Sequence, residues 1–172
     1  MPNGGYGSGF IVNQEGHLLT ADYVLQGEGP WRIATWDGSE HQAELVGVDP
    51  EAKLAVARVQ GRANLPALPF RSQKLAVDEN VLVVGSTATD IITYEQGVVR
   101  GDDGNTVAAV FARFATAGLG GGPVLDEQGR AVGVYYQRQA GPATSGESVR
   151  LLMPISRAMA ALRRFGIWIK PS

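Results

Sequence analysis

Apolar residues recur along this chain in short, often alternating runs, at residues 9–13, 17–20, 31–36, 42–48, 54–59, 81–85, 97–100, 106–111, 131–136 and 148–153. Between them stand Asn13-Gln14-Glu15-Gly16, Asp37-Gly38, Asp102-Asp103-Gly104-Asn105 and Asp126-Glu127-Gln128-Gly129. These residue types accept the tight backbone of hairpin turns. Many short strands at close spacing predict an all-β barrel or sandwich. The pattern breaks once, at residues 61–69, where Pro66 and Pro69 interrupt strand pairing. We read residues 1–172 as one domain: an N-terminal half (6–60), a connector (61–75), a C-terminal half (76–154) and a terminal helix (155–166). In that helix Ser156 is expected to cap, Arg163 and Arg164 to close the last turn, and Gly166 to stop it.

Composition narrows the function classes. With 44% hydrophobic and 19% charged residues over 172 positions, the chain can bury a core and is not disordered. Its net charge of −2 gives no electrostatic footprint for nucleic acid or anionic lipid. No apolar run approaches the ~20 residues of a membrane-spanning helix. Residues 1–5 read as a chain boundary rather than a signal peptide, so any targeting segment is expected outside them. Cysteine is absent, which removes disulfides, thiolate metal sites and cysteine nucleophiles.

The most unusual stretch is Gly118-Leu119-Gly120-Gly121-Gly122-Pro123. Such a glycine run weakens any strand or helix, and it suits a loop whose amides approach something closely or converge on a concavity. A connection with no role is the bland alternative. The segment resembles the Gly-Asn-Ser-Gly-Gly-Pro motif around the nucleophile of trypsin-like serine proteases, above all the HtrA/Deg group. Three further stretches are similar to that group in order and spacing. They are Gly7-Ser8-Gly9-Phe10 with Gly16-His17-Leu18-Leu19-Thr20, then Val48-Asp49-Pro50-Glu51-Ala52-Lys53-Leu54-Ala55-Val56, and Leu152-Met153-Pro154-Ile155.

The resemblance implies two antiparallel six-stranded β-barrels with a C-terminal helix and a site in the cleft between the barrels. It places the catalytic histidine on Tyr23, the orienting aspartate on Lys53 and the nucleophilic serine on Gly120. Serine attack needs a base, a carboxylate that orients it, and amides for the oxyanion. Tyrosine is a poor proton acceptor at neutral pH, lysine has the wrong sign, and glycine has nothing to attack with. The expectation is therefore a proteolytically inactive member, a pseudoprotease without cofactor. Its former oxyanion loop, Gly118 to Gly122, and a pairing strand, Val134, Tyr135 and Tyr136, would still bind a peptide or protein partner. A side chain added at Gly121 is expected to block that binding with little effect on stability.

Other readings stand beside it. Residual hydrolysis without a triad would need a serine from positions 8, 39, 72, 86, 145, 148, 156 or 172, or Thr116 at the loop entrance, with Lys53 as a dyad base. At Tyr23 and Lys53 the simpler reading is filling of vacated space, the ammonium turning to water, Asp22 or Asp49. His17 and His41, with Glu15, Glu40 or Glu44, are weak candidates for a transition-metal site. Magnetosome HtrA-like proteins look similar in having lost protease chemistry, and a metal-binding role is attached to them. No shared ligand motif is visible here, so surface histidines are the default. A scaffolding role is the third class, since the resemblance implies trimerisation near Tyr6. It also implies an extracytoplasmic location and leaves room for PDZ modules elsewhere.

Overall fold

The computed structural model describes residues 6–61, 65–89, 91–111, 117–139 and 148–172, with backbone only at 137–139 and 148. Residues 1–5 and 62–64, Thr116 and Ser145, each given a reading above, lie outside the described residues. The first half pairs β1 (Phe10–Ile11), β2 (His17–Ala21), β3 (Trp31–Ala34), β4 (Glu40–Asp49) and β5 (Leu54–Val59) in the order β1-β2-β5-β4-β3. The second half closes a barrel from β6 (Asn80–Ser86), β7 (Ile92–Asp102), β8 (Val107–Phe111), β9 (Pro123–Leu125), β10 (Ala131–Gln139) and β11 (Ser148–Pro154). One helix, α1 (Ile155–Arg164), follows.

The architecture is the expected trypsin-like one, mostly β with a terminal helix. The C-terminal half is the expected closed six-stranded barrel. The N-terminal half carries five strands, and its edge strands β1 and β3, of two and four residues, do not pair. Two further differences have local causes. Strand β7 starts before residue 97 because pairing continues from Asn80↔Val98 to Ser86↔Ile92, down to the hairpin base. Helix α1 begins at Ile155 without a side-chain cap, so Ser156 does not cap it. Pro154, at φ −63° and ψ 149°, ends β11 and turns straight into the helix, and it has no N–H to satisfy.

Alternation along β2 and β5 gives the N-terminal sheet two apolar faces. Leu18, Ala55 and Ala57 pack inside that half. Leu19, Leu54 and Val56 pack the other way, against Val134 and Met153 of the barrel and Ala158 and Leu162 of α1. Burying each such Leu or Val stabilises by about 1.5–3 kcal/mol, so this shared core fixes the two halves against each other. It thereby fixes the seam where the glycine loop lies.

Candidate functional site

The loop before β9 is held from the other half of the molecule. Ser8 donates its amide to the Gly120 carbonyl (2.8 Å) and its hydroxyl to the Gly118 carbonyl (2.6 Å). The same hydroxyl accepts from the Ser86 amide (2.8 Å), and the Ser8 carbonyl accepts from the Thr20 hydroxyl (2.6 Å). Gly118 and Gly121 have φ of +103° and +85°, a region that favours glycine. A Cβ on Gly118 would stand 2.3 Å from the Ser86 carbonyl, and one on Gly121 only 2.1 Å from the Thr20 hydroxyl and 2.4 Å from the Ser8 carbonyl. Gly118 is thus required by close packing of the loop on the end of β6, and Gly121 by its packing on β2 and Ser8. That overturns the expectation that a side chain at Gly121 leaves stability intact.

Within the loop, Gly122 donates to the Leu119 carbonyl (2.9 Å) and Gly121 to the Tyr135 carbonyl (2.8 Å). Gly118 and Gly120, buried like Leu119, donate to no acceptor among the described residues. Both lie in the stretch, Gly118 to Gly122, that the family resemblance reads as a former oxyanion loop.

Tyr23 follows the end of β2 in a turn closed by Val24 N–H to the Ala21 carbonyl (3.0 Å). Its ring meets Tyr136 edge-on, with centroids 5.2 Å apart at 77°. Lys53 sits just before β5 in a left-handed conformation (φ +60°), and its carbonyl accepts from the Asp22 amide (3.2 Å). The backbone therefore brings positions 23 and 53 to the end of the N-terminal sheet that the loop touches. The Lys53 side chain is exposed. Among the described residues its ammonium pairs with neither Asp22 nor Asp49, which leaves water of the three alternatives. Asp49 is taken by Arg164 (2.5 Å) and the Ala52 amide (3.0 Å). Asp22 keeps one carboxylate oxygen buried without a hydrogen bond.

Val134, Tyr135 and Tyr136 need a correction as the pairing strand. Tyr135 exchanges both backbone bonds with the loop, donating to Gly122 (2.9 Å) and accepting from Gly121. Val134 and Tyr136 lie opposite Met153 and Leu151 of β11. Backbone groups alternate sides along a strand, so these three residues have no open edge. The strand runs on to Gln139, beyond the last loop contact, with a register shift after Tyr136 before Gln139 pairs with Arg150.

The histidines do not converge. His17 lies opposite Arg58 and shares the sheet face of Leu19, whereas His41 lies opposite Ile33, with the face of Ala43. His17 is engaged with Asn13 through Nδ1 at 2.9 and 3.1 Å. Burial holds its pKa below the ordinary value, against the pull of Glu15 at 3.8 Å. No group of three or more His, Asp or Glu side chains poised for a metal occurs among the described residues. Ser8 and Thr20 lie in stretches that carry the family resemblance, but neither they nor Ser86 show in the sequence that they hold the loop.

The sequence model of the trypsin-like peptidase domain matches residues 7–134. The chain is 31% identical over 136 residues to a Chlamydia muridarum protein named "Probable periplasmic serine endoprotease DegP-like", covering 74% of this chain and 27% of that one. A protein of the same name from Pseudomonas putida is 33% identical over 138 residues, covering 76% and 29%. The chain thus spans under a third of those relatives. Among solved structures, the serine endoprotease from Yersinia pestis superposes with a TM-score of 0.80 at 23% identity, over 92% of this chain and 57% of that one. The HtrA-type protease AlgW, solved with a decapeptide, gives 0.76 at 28% identity, over 92% and 51%.

Proposed function

The chain belongs to the trypsin-like peptidase domain family, in its HtrA/DegP type, and from that premise we propose that it binds an extended peptide or partner segment without cleaving it. Position 120 offers no atom for attack, Tyr23 is a poor base, and the Lys53 cation is turned to solvent. The observation that carries the binding half is the pair of undonated amides, Gly118 and Gly120, in a loop clamped by Ser8. Buried donors without a partner are uncommon, and a ligand carbonyl or carboxylate is their natural acceptor. Residues 137–139 would pair the ligand backbone by strand addition. Each neutral hydrogen bond contributes about 1 kcal/mol net, so affinity in the micromolar range is expected. The periplasmic names of the relatives support an extracytoplasmic setting for this activity.

The non-proteolytic half is tested with unfolded casein and a serine-directed fluorophosphonate. We expect no cleavage above buffer and an unchanged protein mass. A single stoichiometric adduct would overturn the proposal.

A further inference from the structure

The barrel interior beside the glycine loop carries polar groups that packing does not use. Tyr135 is fully buried, with its ring edge-on to Phe111 at 5.6 Å, and its hydroxyl has no hydrogen-bond partner. Two residues from its β11 neighbour Leu152, on the same inward face, is Arg150, opposite Ala109 of β8. Its Nε is likewise buried and unpartnered, and among the described residues Arg150 forms no ion pair. Burial, the largest effect, holds the Tyr135 pKa above the ordinary value, and Arg150 pulls it down. Glu95 of β7 and Tyr23 also act on the phenol and push its pKa up, and Glu95 has an interaction of its own.

A buried phenol and a half-buried guanidinium whose Nε is buried, each with a donor unspent, are expensive to leave unpaired. We infer that Arg150 and Tyr135 form a subsite for a single carboxylate, which refines the peptide-binding reading above and rests on it. The guanidinium supplies charge and direction, and the phenol adds a second donor. Glu95, buried in the same interior, has an interaction of its own, which leaves the single charge of Arg150 for the ligand. The subsite therefore suits a monoanion, and a phosphate dianion would be repelled. The carboxylate can come from a peptide C-terminus or from an acidic side chain.

Three labelled pools of random apolar nonapeptides separate those sources by fluorescence anisotropy. One has a free C-terminal carboxylate, one is amidated, and one is amidated with a central glutamate. At least one carboxylate pool should bind about tenfold tighter than the neutral amide pool, since one charged hydrogen bond is worth roughly that factor. Arg150→Gln should erase the difference and Arg150→Lys should keep part of it. Tyr135→Phe, which removes only the hydroxyl, should weaken the carboxylate pools roughly threefold and leave the amide pool unchanged. Independently of peptides, acetate should shift the Arg150 Nε–Hε resonance, and inorganic phosphate should not. Equal binding of acid and amide pools overturns the subsite and leaves peptide binding standing. An acetate shift without binding of any pool keeps the subsite and overturns the peptide reading. No acetate shift together with no pool binding overturns both.

Discussion

Gly121 shows how tightly single residues are bound into this site. Its φ of +85° and the 2.1 Å that would separate a Cβ from the Thr20 hydroxyl mean that even alanine must displace β2 or the loop. We expect Gly121→Ala to destabilise by about 2–3 kcal/mol, from backbone strain plus forced repacking. Thermal unfolding measures it, and a midpoint within a degree of the parent would contradict the packing described here. The glycine run is conspicuous in the sequence, but the reason for it is not. Ser8 and Thr20, more than a hundred residues earlier, are what crowd the loop, and nothing in residues 118–122 names them. Lys53 illustrates the same limit. Its position came from a family match, whereas its left-handed backbone and free ammonium came from the fold.

Elements were legible where the apolar signal was strong. Strands β2, β5, β6 and β10 fall within a few residues of the runs that predict them, because β6 alternates toward a buried face and β2, β5 and the start of β10 are buried on both faces. The three residues of β9 are too few for a pattern, and a proline at their start argues against a strand unless it opens one. The connector was readable as a break, but not its anchor. Arg71 donates to Glu79 and lies 3.6 Å from Asp126, which Arg130 also grips at 2.8 Å. The hydrogen bond from Arg71 holds the Glu79 carboxyl below the ordinary range. Burial raises the Asp126 pKa, but hydrogen bonds from Arg130 and Gln128 outweigh it and lower it. Depressed carboxylates stabilise the fold above their unfolded pKa, and this is lost as pH falls through the lowered folded values. The melting temperature should therefore fall between about pH 5 and pH 3, and Glu79→Gln should flatten that fall. A slope unchanged in the variant would show that the cluster is not its origin.

At the scale of the whole molecule, the shared core between the halves keeps a trypsin-like seam in place whatever the side chains lining it can do. Restoring the nucleophile alone should then be fruitless. Gly120→Ser leaves Tyr23 as the base and a cation at position 53, so we expect no turnover of casein. The triple variant Gly120→Ser, Tyr23→His, Lys53→Asp is the fair trial of the scaffold, and aspartate tolerates the φ of +60° at position 53 better than lysine does. Substantial turnover by the single variant would mean that another group serves as base. The fold and its family were legible because their signals are distributed over the chain. That Val134, Tyr135 and Tyr136 offer no open edge was not legible, because strand partners on both sides are set by pairing that local sequence does not specify.

The central claim is that the amides of the loop, not side-chain chemistry, receive a ligand. Amide chemical-shift mapping during titration with a peptide pool tests it most directly. Shifts should centre on Gly118, Gly120 and residues 137–139. Shifts confined to the surroundings of His17 and His41, or to the outer face of the barrel, would contradict it.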